Sequence, residues 1–488
     1  MLSLFTSSTV AAPASDLITN LPGFGNSTWP FKAYSGYLTV PGPFQLTDYD
    51  SLEIHYQLHM SQNNPSSDPL VTWHQGGPGG SSIDVGLGKR AEMGYFQIDD
   101  QGFHTNDYAW NKVANMLYLE SPAGSGQSSG FSACIKGGKD VACHWDDVSQ
   151  GEAYAHALAA FRNAFPELSA SPLYLTGESY FGQYGPNIAN WILTHAPFNT
   201  SLKLAGAALG NACWGGDATN VNCNGPNEEQ NDLDMFFGKG LISKVLYEKA
   251  YKACPFPATG PLGLKCHAVL EEVSEAVGPH NVYNIYDDCA LGRDALETVG
   301  GGSMRQLRKA LRAALVPGAA VVSASGAATP TGGYTWSCGG MDATSSWIVR
   351  DDVKAALHLK AADRSAFHYS TSGPASITLY PFLATKMRLL IYNGDADACV
   401  PYKGNEEWID GLVAQGVLAA KDEWRPWYTT TKADKKPPAG YVTTYTVAGA
   451  PSVDFSFVTI RLAGHMVPTF QPAASLAFFT RFLAAEPM

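Results

Sequence analysis

Three residues far apart in the chain have the types and settings that nucleophilic chemistry requires: Ser179 in "PLYLTGESYFGQYG", Asp397 in "LIYNGDADACVPY" and His465 in "VTIRLAGHMVP". Each follows an apolar run that reads as a strand, and Ser179 is followed by a helix-like pattern from Tyr180 to His195. A serine on the tight turn between a strand and a helix is presented outward, but its hydroxyl is a poor nucleophile alone. It needs a base within hydrogen-bond reach and a third group to orient that base. His465 offers the imidazole and Asp397 the carboxylate. Each of the three has an ordinary reading as a turn former or cap; their order after three strands is what singles them out.

A fourth stretch, "PLVTWHQGGPGGSS", runs a strand into Gly76, Gly77, Pro78, Gly79 and Gly80. Glycines let backbone N–H groups approach a ligand closely, and no Gly-Lys-Ser/Thr ending makes this a phosphate loop. An oxyanion hole built from the N–H groups of Gly77 and Tyr180 fits better. The chain order serine, acid, histidine is that of the α/β-hydrolase architecture.

Such a site needs strands to carry it. Strand-like and helix-like patterns alternate to about residue 211, are interrupted over 212–340, and resume from 341. The expected fold is therefore α/β: a mostly parallel central sheet covered by helices on both faces, with an inserted helical cap. The core would comprise 30–211 and 341–488, and the cap region 212–340 would contain a mobile loop at 316–333, "VPGAAVVSASGAATPTGG".

Composition narrows the function classes. The chain has 488 residues, a formal net charge of −12 and only 16% charged residues. No stripe of Lys and Arg interleaved with aromatics is present, so no nucleic-acid partner is expected, and the basic run Arg305–Arg312 reads as the solvated face of an amphipathic helix. No apolar run reaches the roughly 20 residues of a membrane span. Nine cysteines (134, 143, 213, 223, 254, 266, 289, 338 and 399) in close pairs point to an oxidising compartment and leave at least one thiol over. Asn26-Ser-Thr and Asn199-Thr-Ser are possible glycosylation acceptors. Residues 1–15 carry small residues suited to a cleavage site but lack a basic start and an apolar centre, so a signal peptide would be weak or incomplete.

No cofactor or metal is expected. Cys134 and Cys143 beside His144 read as a local disulfide rather than as ligands, and His55 and His59 on one strand would stand about 13 Å apart, too far to share an ion. Cys399 is either a thiol near the site or a buried structural cysteine.

The stretches "WHQGGPGGSS", "ESPAGSGQSSG", "LTGESYFGQYGPNIA", "GAALGNACWGGD", "DDVKAALH", "YNGDADACVPYKGNEEWID" and "AGHMVP" together resemble the serine carboxypeptidase family, in the same order, from about residue 34 to the C-terminus. The resemblance implies an acyl-enzyme peptidase acting from the C-terminal end of peptides or proteins, in vacuoles, lysosomes or outside the cell. It also implies a clamp for the substrate's terminal carboxylate made of Glu178, a second glutamate at Glu92, the amide of Gln75 and the backbone of Gly76. Two carboxyls held together cannot both ionise cheaply, so they would share a proton and donate it to the substrate, favouring acid pH.

Three departures from the family pattern bear on that expectation. Gln75 stands where the family usually has Asn, which would displace the amide; Gly80 stands where it has a cysteine, leaving Cys338 without its family partner; Phe181 stands where a small residue is usual. Gln75 hints at an alternative, an acyltransferase or esterase on the same fold, against which Glu178 speaks. A non-catalytic binding protein is the remote third reading, because such proteins usually lose a member of the triad. Oligomeric state has no signature in the sequence.

Overall fold

The structure is a computed structural model that describes residues 12–26, 28–83, 92–99, 102–126, 130–214, 223–258, 260, 262–287, 341–361, 364–430 and 436–488. The loop expected at 316–333, the helix expected around Arg305–Arg312, and Cys289 and Cys338 lie outside the described residues.

A thirteen-stranded sheet organises the molecule. In chain order its strands are β1 Ala33–Pro41, β2 Ser51–His59, β3 Leu70–His74, β4 Asn115–Leu119, β5 Ala133–Lys136, β6 Lys139–Val141, β7 Leu173–Glu178, β8 Leu204–Gly210, β9 Arg388–Gly394, β10 Leu418–Ala420, β11 Arg425–Trp427, β12 Gly440–Val447 and β13 Asp454–Ile460. In space the order is β6-β5-β2-β4-β3-β7-β8-β9-β13-β12-β10, with β1 on β2 and β11 on β12. The middle run β4-β3-β7-β8-β9-β13 is parallel, and antiparallel strands extend it at both ends.

The middle strands are parallel because both their faces are covered. Every residue of β3, β4 and β7 is buried, as expected of strands that read as continuous apolar runs. Alternate side chains feed two cores. Leu70, Leu117, Leu175, Leu209 and Ile391 pack on one face with α1 (Asp147–Ala164), α2 (Phe181–Thr194) and α6 (Tyr402–Ala414). Val71, Trp73, Tyr118, Leu390 and Val458 pack on the other with α7 (Pro472–Ala484), through Phe478, Phe479 and Phe482. Each fully buried phenylalanine of α7 contributes roughly 1.5–3 kcal/mol.

The helices start and stop on local signals. Asp146 caps α1 by accepting the N–H groups of Val148 and Ser149, with the Ser149 hydroxyl reciprocating on Asp146 N–H. Proline opens α7, where its missing N–H costs nothing. Over 223–287, after β8, the described chain forms three helices, α3 (Glu228–Gly238), α4 (Lys244–Ala253) and α5 (Leu264–Val277). Leu233, Ile242, Ala250, Val269 and Val273 give them a small core of their own.

Candidate active site

β7 ends at Glu178 and α2 begins at Phe181, so the chain turns on Ser179, whose φ of +61° is a left-handed conformation that a residue with a Cβ rarely adopts. Neighbours over-determine that strain: Ser179 N–H donates to Gly210 O at 3.0 Å, and Ser179 O accepts from Gly182 and Cys213 N–H at 2.9 Å each. The result is a half-exposed hydroxyl at the carboxyl end of the parallel sheet.

Asp397 and His465 leave the ends of the two neighbouring strands, β9 and β13. The imidazole Nδ1 lies 2.7 Å from Asp397 Oδ2, and both side chains are buried. Three further donors converge on that carboxylate: Cys399 N–H at 2.8 Å, Val400 N–H at 3.2 Å and Asn211 Nδ2 at 2.7 Å. Burial alone would push the His465 pKa down, but the charge and hydrogen bond of Asp397, with the charge of Glu178, raise it overall. No hydrogen bond joins Ser179 Oγ to the imidazole among the described residues; such contacts often tighten only once substrate is bound.

The glycine loop closes on the serine from the β3 side. A Cβ on Gly76 would fall 2.5 Å from Ser179 Cβ and 2.7 Å from Tyr180 N, so only glycine allows this approach. The backbone of Gly76 and Gly77 thereby lies beside the first turn of α2, where Tyr180 N sits. Tyr180 is tied down through its ring, its hydroxyl reaching the buried Asp147 Oδ2 at 3.5 Å. Asp147 also accepts from Tyr369 Oη at 2.8 Å and Ser372 N–H at 2.9 Å, and burial raises its pKa.

Behind the serine, Glu178 and Glu92 are both buried. Gln75 Nε2 donates to Glu178 Oε1 at 2.7 Å. Burial raises the Glu178 pKa to about 7, partly offset by His465 and by the Gln75 hydrogen bond. Glu92 is raised well above the usual carboxylate range, first by burial and then by the charge of Glu178. Glu92 and Glu178 meet each other side chain to side chain, with the Gln75 amide beside both, the pattern of two carboxyls that must hold a proton between them.

Two of the departures find a physical account here. The Gln75 amide still reaches Glu178, its carbonyl lying 3.4 Å from Trp73 Nε1. The Phe181 ring packs over the α-carbons of Gly177 and Gly185 and stacks on the buried His74 at 4.6 Å between centroids. His74 is held neutral, burial lowering its pKa to about 3, with Nδ1 2.9 Å from Thr176 O.

Asn211, Asp147 and Tyr283 were not singled out in the sequence as site residues. Asn211 also accepts from Gly394 N–H at 3.1 Å, linking β8 to the acid loop. Tyr283, from the segment after α5, packs its ring 4.9 Å from that of His465 and accepts His465 N–H on its carbonyl at 2.7 Å. Their one sequence signal is position: Asn211 directly follows β8. Cys399 is half-buried and in no disulfide among the described residues, and its backbone N–H serves Asp397. Cys134–Cys143, Cys213–Cys223 and Cys254–Cys266 are disulfides. His55 pairs with Ser35, and no cluster of three or more metal-ligating side chains occurs among the described residues. Asn26 and Asn199 are exposed, and no described helix is long and apolar enough to cross a membrane.

Comparison with known proteins agrees with this geometry. A match to the family described as serine carboxypeptidase spans residues 22–485. The chain is 30% identical to serine carboxypeptidase-like 21 of Arabidopsis thaliana, covering 100% of this chain and 97% of that protein. It is 31% identical to the lysosomal protective protein of Mus musculus over 98% of this chain and 95% of that protein. The fold is similar to a prohormone-processing carboxypeptidase of Saccharomyces cerevisiae, with a TM-score of 0.62 at 19% identity, covering 97% of this chain and 96% of that one. The chain belongs to the serine carboxypeptidase family and is a hydrolase of the serine type.

Proposed function

We propose that this carboxypeptidase uses Ser179 as nucleophile, His465 as general base and acid, and Asp397 as the group that orients His465. Ser179 Oγ attacks the last peptide carbonyl while His465 Nε2 takes its proton. The N–H groups of Gly77 and Tyr180 hold the oxyanion; losing one such donor typically costs 100- to 1000-fold in rate. Collapse of the tetrahedral intermediate breaks the C–N bond, His465 returns the proton to the leaving amine, and water then releases the acyl group by the same steps in reverse.

Glu92, Glu178, Gln75 and Gly76 would recognise the terminal carboxylate. The observation that carries this reading is the pair of buried carboxyls lying directly behind the nucleophile with the Gln75 amide on one of them. At acid pH the pair is uncharged and donates to the substrate; as pH rises through the Glu178 value of about 7 the pair takes on a charge that opposes the substrate's carboxylate, and KM rises. The same proton removes the Glu178 charge that helps keep His465 protonated, so it favours a neutral base.

The cap region at 212–340 and the core at 30–211 and 341–488 are assigned on the same reading, the cap supplying Tyr283 to the wall of the site. Peptides and proteins would be the substrates, in a vacuole, a lysosome or the extracellular space. Incubating a peptide with the enzyme at pH 5 and following its mass tests the activity. Stepwise loss of single C-terminal residues, abolished by prior reaction of Ser179 with a fluorophosphonate, is expected. Internal cleavage, or turnover that survives the label, would refute the assignment.

A further inference from the structure

Gln75 and Gly80 both depart from the family pattern, and in the structure they touch. A Cβ on Gly80 would fall 3.0 Å from Gln75 Cγ and 3.4 Å from Gln75 Cβ. The Gln75 side chain therefore crosses the bare α-carbon of Gly80 on its way to Glu178, which its Nε2 meets at 2.7 Å. An asparagine is one methylene shorter and reaches a neighbouring carboxyl without that detour. A glutamine must fold its extra methylene into some space, and here the space is the missing side chain of residue 80. Its other anchors leave little slack: Gln75 N–H donates to Ser82 Oγ at 3.1 Å, and Gln75 O accepts from Tyr184 Oη at 2.5 Å.

We propose that Gly80 is a positioning residue for the carboxylate clamp, permitting the rotamer in which Gln75 engages Glu178, so that the two departures are a single coupled adaptation. The proposal rests on the clamp reading given above. Any side chain at 80 would push Gln75 Cγ out of its path and draw the amide off Glu178. The loss would appear chiefly in binding of a free terminal carboxylate: the triad does not pass through residue 80, and the oxyanion donor Gly77 N–H touches it only through Gly76 O, which accepts Gly80 N–H at 2.9 Å.

A double-mutant cycle of Gly80→Ala, Gln75→Asn and the pair tests this. The readouts are KM for an N-blocked dipeptide, KM for its C-terminal amide, and kcat for a simple ester that lacks a terminal carboxylate. Gly80→Ala should raise KM for the dipeptide at least about tenfold, the cost of one charge-assisted hydrogen bond. Ester kcat should fall by several-fold less than the dipeptide KM rises, the retained ester turnover also reporting a folded enzyme, and adding Gln75→Asn should recover most of the KM loss.

Strictly additive effects would overturn the proposal. So would a parallel loss of ester turnover in Gly80→Ala, because the same Cβ would lie 2.8 Å from Gly76 O and that outcome would assign Gly80 to the shape of the glycine loop. If the unmutated enzyme fails to distinguish dipeptide from amide, the clamp reading itself falls, whatever Gly80 does.

Discussion

At the scale of residues, the site concentrates conformational strain and buried charge where the chemistry would use them. Ser179 is held at φ +61° by three backbone hydrogen bonds, and the two glutamates are held where neither ionises easily. Ser179→Gly should remove the left-handed penalty, raising unfolding free energy by up to about 1 kcal/mol in denaturant titrations while abolishing turnover. Ser179→Ala should lose about a millionfold in kcat and keep the strain. Measured stability that is lower for the glycine variant than for the alanine variant would contradict this picture. Ser179, Asp397 and His465, the proposed nucleophile, acid and base, stand out in local patterns, each a small motif at a strand end. Glu92 could not: nothing near "RAEMGY" marks a functional carboxyl, and it was reached only through family likeness.

At the scale of elements, parallel strands with covered faces place loop residues from four neighbours at one edge. β7 brings Ser179, β8 brings Asn211, β9 brings Asp397 and β13 brings His465, adjacent in that order. Asn211 then acts through Asp397, bonding both its carboxylate and Gly394 N–H. Asn211→Leu should lower kcat by about 10- to 100-fold with KM little changed, since a misplaced orienting group weakens the transition state more than the ground state. Asn211→Asp, which keeps the acceptor for Gly394 and sets a carboxylate against Asp397, should be at least as damaging; unchanged kcat in both would remove Asn211 from the site. The strands and helices followed from apolar periodicity, but the role of Asn211 depends on which strands become neighbours. Tyr283 likewise meets His465 only because the segment after α5 returns over the sheet, a long-range placement that no local pattern encodes.

At the scale of the whole molecule, the buried carboxyls link folding to acidity. A carboxyl whose folded pKa is raised binds more protons folded than unfolded, so its stabilising effect is present below the unfolded value near 4 and is lost as pH rises through the folded one. For Glu178 that window closes near pH 7, and Glu92 acts in the same direction. The melting temperature should therefore fall between pH 5 and pH 8, and Glu178→Gln should flatten part of that slope; a melting temperature that rises over this range in the unmutated enzyme would contradict the linkage. The alternation of strands and helices announced the architecture, and the cysteine spacing announced the Cys134–Cys143 disulfide but left the pairing of the others open. The accommodation of Phe181 showed only in part in the sequence: Gly177 and Gly185 flank it four residues to either side, but His74 comes from a different strand and stacks on it only in the folded core.

The account stands on a protonated carboxyl pair recognising a free terminus. The measurement that reaches it most directly is the pH dependence of KM, from pH 4 to 8, for an N-blocked dipeptide and for its C-terminal amide, with Ser179→Ala as the blank. The predicted result is a KM for the free acid that is low at pH 5 and climbs through pH 7, against a KM for the amide that changes little. Equal KM values for acid and amide at pH 5, or a free-acid KM flat across the range, would show that Glu92 and Glu178 do not bind the substrate's carboxylate.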